Sequence, residues 1–217
     1  MAATKTTPRQ WLALAVLAIA AFAIGALIRM AGPVGTDISR HLDLAPFQQN
    51  RTAPSTGPED AAVVLHVFTD YQCGPCRAAH PAMVAAVREA GDVRVAYRDL
   101  PRLGPLSERA ARVALAARGQ GIYPEVHDML MAERRQLTAP VLREIVERAG
   151  GDWAQVEADL THDPAIGRQL AANSADALRL GIKGTPTYLA GPYRVTGGLS
   201  EPDFGKLFEQ AREASAR

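Results

Sequence analysis

The chain has 217 residues, 47% apolar and 22% charged, with a formal net charge of +1. That is the composition of an ordinary globular domain with a real core, and it implies no strong electrostatic partner. Neither a basic face nor a nucleic-acid-binding motif is found, so nucleic acid is not expected as a partner.

The first element is apolar. Residues 11–28 run from Trp11 to Ile28 without a charge, and in a helix eighteen residues rise about 27 Å, enough to reach across a hydrocarbon core of about 30 Å. Lys5 and Arg9 precede the run and no acid does. The positive-inside rule therefore keeps the first residues in the cytoplasm and sends the remainder across; Arg29 weakens that bias without reversing it. The segment 1–31 is thus expected to be a single-pass anchor in a bacterial inner or cell membrane. A cleaved signal peptide is the alternative, with Ala21-Phe22-Ala23 as the cleavage site and a domain released to the periplasm. Residues 32–60 are rich in Pro, Gly, Ser, Thr and Asn and are expected to be a flexible linker. Leu42, Leu44 and Phe47 could form one helical turn within it.

One domain is expected over 61–217. Residues 62–68 form a short apolar, β-branched run, the pattern of a buried strand. They lead into Cys73-Gly74-Pro75-Cys76, and 77–90 is Ala-rich with helical spacing. Residues 93–98 alternate apolar and polar as a second strand. A β-α-β unit of this kind goes with parallel pairing. From about 105 to 180 only helical segments are expected, near 106–118, 122–134, 139–149, 152–160 and 164–180, parted by Gly and Pro breaks. Strands return at 187–190 and 193–195 around Gly191-Pro192. A helix closes the chain over 200–214, with Ser200 as its cap and Glu201 and Asp203 in its first turn.

The chemistry lies in the two cysteines, the chain's only thiols. A Cys-X-X-Cys pair that follows a strand and opens a helix meets unpaired N–H groups and the positive end of the helix dipole. A thiolate at Cys73 is favoured there, and Cys76, one turn on, is placed to attack a mixed disulfide on Cys73. Three other readings compete. A zinc site needs four ligands, and the histidines at 41, 66, 80, 127 and 162 show no pair at close ligand spacing. A structural disulfide would close a loop too small to stabilise much. Two inert core thiols sit badly with an exposed Gly-Pro turn. Pro81 falls eight positions after Cys73 inside the expected helix. Gly184-Thr185-Pro186-Thr187 stands immediately before the returning strands. A cis proline there, facing the cysteines, would leave the backbone of Thr185 free to pair with an extended chain. His66 is expected to be a satisfied core histidine, Asp70 a local turn or cap acid, and Trp153, Tyr123 and Met129–Met131 helical packing. His80 and Arg77 lie close enough along the helix to tune the pair, though each is more simply a surface residue.

These residues carry a resemblance. Phe68-Thr69-Asp70-Tyr71-Gln72-Cys73-Gly74-Pro75-Cys76 is similar to the active-site strand and turn of the thioredoxin superfamily. Tyr97-Arg98-Asp99-Leu100-Pro101, the helical stretch and Gly181–Thr187 resemble the DsbA-like branch, over about residues 60–214. The resemblance implies an α/β thioredoxin fold with an all-helical insertion. It implies Cys73 as nucleophile and Cys76 as resolving thiol, with Gly74, Pro75, Thr185 and Pro186 facing substrate. No cofactor beyond the redox-active pair and no metal is implied. The implied partners are exported client proteins with cysteines and a membrane redox protein that recycles the pair, on the periplasmic side. Two departures matter. The buried acid commonly found six residues before the first cysteine is Val67 here, and the histidine common inside the DsbA loop is absent. A milder oxidant than DsbA is therefore expected. Whether the chain oxidises, isomerises or reduces disulfides is left open by these residues. A non-catalytic extracytoplasmic chaperone or metal-handling module is the alternative from another class.

Overall fold

The computed structural model describes residues 8–40, 44–48 and 51–216, with the side chains of residue 8 and residues 23–31 outside the description. The chain divides into two compact units, Met1–Pro33 and Val34–Arg217. In the first, Pro8–Ala31 forms helix α1, a run of good helix formers with its one proline at the start, where the missing N–H costs nothing. Among the described residues no helix is long and apolar enough to cross a membrane. The span expected at 11–28 lies partly outside them, since its side chains from 23 onward are not described.

The second unit holds a six-stranded sheet and eight helices among the described residues. In chain order these are β1 (Thr36–Asp37), α2 (Ala45–Gln48), β2 (Ser55–Thr56), β3 (Val63–Thr69), α3 (Gly74–Ala90) and β4 (Val93–Asp99). The helical stretch follows as α4 (Pro105–Ala117), a 3-10 turn at Arg118–Gln120, α5 (Tyr123–Ala132), α6 (Ala139–Arg148), α7 (Trp153–His162) and α8 (Pro164–Arg179). The chain returns to the sheet with β5 (Thr187–Ala190) and β6 (Tyr193–Thr196) and closes on α9 (Glu201–Ser215). The strand order is β1-β6-β5-β3-β4-β2. Among the described strands only β3 and β4 run parallel, joined across α3; β5 returns antiparallel beside β3.

Alternation along β3 builds two cores. Leu65 and Val67 join one large cluster with Met83 of α3, Phe204 and Phe208 of α9 and the helical stretch. Phe68 faces the other way, into a second cluster with Leu189 and, from α8 and the turn after it, Ala177, Leu180 and Ile182. Ser200 caps α9 as expected, accepting from the Asp203 N–H.

The expectation of a flexible linker over 32–60 does not hold for its described part. Ile38, Leu44, Phe47 and Ala53 are buried, the first three in the second cluster. Thr36 pairs opposite Arg194, and Ser55 opposite Ala96. The segment's mean polarity conceals three large apolar side chains, and these cover a sheet face that would otherwise meet water. The helical turn forms at Ala45–Gln48; Leu42 lies outside the described residues.

His66 is buried, yet both ring nitrogens lack a hydrogen-bond partner, so it is not the satisfied histidine expected. It sits on the β3 face covered by Phe47, 4.4 Å from that ring, where an aromatic wall offers no acceptor. Arg98 is fully buried beside it, 4.7 Å from the Phe47 ring and 3.5 Å from Asp176. Burial first, and then the Arg98 charge, push the His66 pKa down to about 3. The unfolded chain therefore binds a proton here that the folded chain refuses, and stability falls as pH drops from about 6.5 toward about 3. His66→Leu is expected to flatten that loss by about 1.4 kcal/mol per pH unit within the window, read from urea unfolding of both proteins between about pH 4 and 6. Equal slopes for the two would refute the assignment.

Candidate active site

β3 ends at Thr69 and the chain turns over Asp70-Tyr71-Gln72 into α3. Asp70 holds that turn. Its Oδ1 accepts from the Gln72 N–H at 2.8 Å and the Ser107 hydroxyl at 2.7 Å. Its Oδ2 accepts from the N–H groups of Arg102 at 2.7 Å and Leu103 at 3.1 Å. The expected turn acid is thus also a cross-brace, tying the approach to the cysteines to the loop after β4 and the first turn of α4. The Arg77 Nε donates to the Tyr71 carbonyl at 2.6 Å, so this guanidinium binds the turn's backbone.

Cys73 is the N-cap of α3, with extended backbone, and Pro75 lies in the first turn. One of the helix's unpaired donors, the Cys76 N–H, points at the Cys73 sulfur from 3.4 Å, the arrangement that favours negative charge at a helix start. Both cysteines are free thiols, Cys73 6% exposed and Cys76 2%. Gly74 and Pro75 between them are exposed. Burial, and then the hydrogen bond with Cys73, push the Cys76 thiol up to about 11, so Cys76 stays protonated at neutral pH. α3 continues through Pro81.

The loop before β5 faces the pair. The Thr185–Pro186 peptide is cis, and the Thr185 carbonyl accepts from the Cys73 thiol at 3.3 Å. The loop is pinned by the Thr187 hydroxyl donating to the Gly184 carbonyl at 2.8 Å and the Gly197 N–H donating to the Pro186 carbonyl at 2.9 Å. Cys73, Gly74, Pro75, Cys76, Thr185 and Pro186 are therefore gathered in one place, from positions more than a hundred residues apart. Tyr188 was read only as a strand residue. It is buried in the same core cluster as Cys73 and Cys76, and burial first of all holds its hydroxyl protonated. Strand alternation alone gives no sign of it.

A second polar group lies beneath the turn. The Tyr71 hydroxyl is 2.8 Å from His127 Nδ1 and 3.4 Å from the Tyr123 hydroxyl, which donates to Asp99 Oδ2 at 2.9 Å. Tyr123 does pack the helical stretch as expected, but through a hydrogen bond as well as its ring. Burial raises Asp99 to about 7 and lowers His127 to about 3. His80 turns to α5, its Nε2 3.0 Å from Asp128 Oδ1.

Comparison with known proteins agrees with this geometry. The family description of a DSBA-like thioredoxin domain matches residues 64–208. A thioredoxin-like oxidoreductase from Silicibacter pomeroyi has 31% identity and a TM-score of 0.76, over 80% of this chain and 99% of that one. The thiol-disulfide exchange protein alpha-DsbA2 of Wolbachia pipientis has 25% identity and a TM-score of 0.73, over 80% and 93%. A Na(+)/H(+) antiporter, NhaA 3 of Salinispora tropica, is 32% identical over 148 residues, 64% of this chain, and the matched stretch is only 22% of that protein's length.

Asp70→Ala leaves four donors without their acceptor. It is expected to cost about 3 kcal/mol or more, measured as the difference in urea unfolding between the variant and the parent. A loss below about 1 kcal/mol would show that the brace contributes little.

Proposed function

The chain belongs to the DsbA-like thioredoxin family, and on that premise we propose that it is a membrane-anchored, extracytoplasmic thiol–disulfide oxidoreductase acting on exported proteins. The observation that carries the reading is the Cys73 sulfur, held at the start of α3 by the Cys76 N–H and faced by the Thr185 carbonyl.

In the oxidising direction a client thiolate attacks the Cys73 sulfur of the Cys73–Cys76 disulfide. That bond breaks, and Cys76 leaves and takes up a proton, since burial disfavours its thiolate. A second client thiolate attacks the client sulfur of the mixed disulfide, and Cys73 leaves. Two electrons have passed to the pair and the client holds a new disulfide. Reduction is the same sequence reversed, begun by Cys73 on a client disulfide and resolved by Cys76. Gly74 and Pro75 on the exposed side and Thr185 and Pro186 across from it form the lip on which the client lies. A membrane redox protein recharges the pair and so sets the direction.

Anchoring rests on the uncharged run at 11–28 and on the exposed side chains of α1, among them Trp11, Leu12, Ile19 and Phe22. Removal of a signal at Ala21-Phe22-Ala23 is the competing reading.

In cells, Cys76→Ser is expected to accumulate mixed disulfides through Cys73, while Cys73→Ser accumulates few. Non-reducing gels with mass spectrometry identify the adducts, which should fractionate with membranes; adducts in the soluble periplasmic fraction, on a chain that begins after Ala23, indicate a removed signal instead. Full function retained by Cys73→Ser points instead to a non-catalytic binding module. With Gly74-Pro75 in the loop and Val67 at the position of the usual buried acid, equilibration with glutathione is expected to give a potential well below DsbA's roughly −120 mV and toward thioredoxin's, about −270 mV. A value as high as DsbA's would contradict this.

A further inference from the structure

α3 and α5 pack against each other one turn beyond the cysteines, since His80 follows Cys76 by four positions on α3. There His80 of α3 and His127 and Asp128 of α5 place one ligand atom each within 4.8 Å of the other two. His80 Nε2 and Asp128 Oδ1 are 3.0 Å apart. His127 is fully buried, and its Nε2 has no hydrogen-bond partner. An unpaired nitrogen on a buried imidazole has given up its water without replacement, and here it belongs to the side chain that completes the trio.

The other side of that imidazole is held. His127 Nδ1 lies 2.8 Å from the Tyr71 hydroxyl, which meets Tyr123, which donates to Asp99. With the carboxylate of Asp99 as terminal acceptor, every donor in the series points toward it. His127 then donates Nδ1–H to Tyr71 and keeps an unprotonated Nε2. Fixing one imidazole nitrogen through a hydrogen-bonded chain so that the other is free is the outer-shell arrangement of metal-ligating histidines. The Tyr97 and Tyr123 rings, 4.3 and 5.7 Å from the imidazole, fix its plane.

We propose that His80, His127 and Asp128 form a binding site for a borderline divalent transition-metal ion of the zinc type. Two imidazoles and one carboxylate select such ions over calcium or magnesium, which take oxygen ligands. Three protein ligands leave a position for water, as in open zinc sites. The approach is past Asp128, whose side chain is 58% exposed against 11% for His80. Tetrahedral coordination needs ligand atoms about 3.3–3.5 Å apart, reached by a small rotation of Asp128 and His80 toward the fixed His127 imidazole. The site shares no ligand with the cysteine pair, so the proposal stands apart from the redox reading.

The test uses the full chain in detergent with the Cys73–Cys76 disulfide formed, which removes the thiols as competing ligands. Zn2+ is titrated against a chromophoric chelator, and Co2+ is followed by its visible absorption. One equivalent is expected to bind and to raise the melting temperature. His80→Ala is expected to weaken binding by roughly 100-fold or more, and Tyr71→Phe by about 10- to 100-fold through the outer shell. Asp128→Asn, at an exposed position, should fold like the parent and weaken binding by at least about 10-fold. Absence of saturable Zn2+ binding, or equal affinity in the parent, His80→Ala and Asp128→Asn, overturns the site and leaves an ion pair between two helices.

Discussion

The register between β3 and β5 governs this structure. Phe68 lies opposite Thr187, so the end of β3 and the beginning of β5 share one edge of the sheet. The turn that leaves β3 and the loop that enters β5 must then face each other. Cys73 meets the Thr185 carbonyl for that reason, although 112 positions separate them. A slip of one residue would turn Leu65 and Val67 out of the large core and Phe68 into it. The hydrophobic alternation of β3 thus protects the geometry at the cysteines.

Given that edge, the cysteines divide by depth along α3. The cap position leaves the Cys73 sulfur at the helix start, where backbone donors lack partners. Cys76, within the first turn, points inward and is nearly sealed, and burial keeps it a thiol. One sulfur is offered to donors and the other withheld from charge, by nothing more than a difference of three positions on a helix that begins at the core's rim.

The helical stretch between β4 and β5 is more than a cover. Ser107 at the start of α4 and the loop before it bind Asp70, and α5 sends His127 under the turn to Tyr71. The turn that presents Cys73 is therefore held from the helical side through its carboxylate and from beneath through its tyrosine. Buried polar networks of this kind are costly when incomplete. The unpaired His127 Nε2 and Asp99 Oδ1 are the incomplete members.

The sequence by itself determined what depends on neighbours along the chain. Strand β3, the cysteine cap of α3, the five helices between the strands, the Gly191 hairpin and the Ser200 cap were all legible, because period, capping chemistry and turn residues act over a few positions. The meeting of Thr185-Pro186 with the cysteines was legible as a condition, a proline just before a returning strand, which the resemblance made an expectation. Tertiary structure alone decided the rest. Residues 32–60 read as linker because their average is polar, yet Ile38, Leu44 and Phe47 complete a core whose other half comes from β3 and α8. His66 could not be known to lack partners until Phe47 stood over it. His80 and His127, 47 positions apart, show no ligand spacing in the chain; they meet because α5 packs along α3. Burial and long-range convergence are properties of the packed chain, and no local pattern encodes which distant face will arrive.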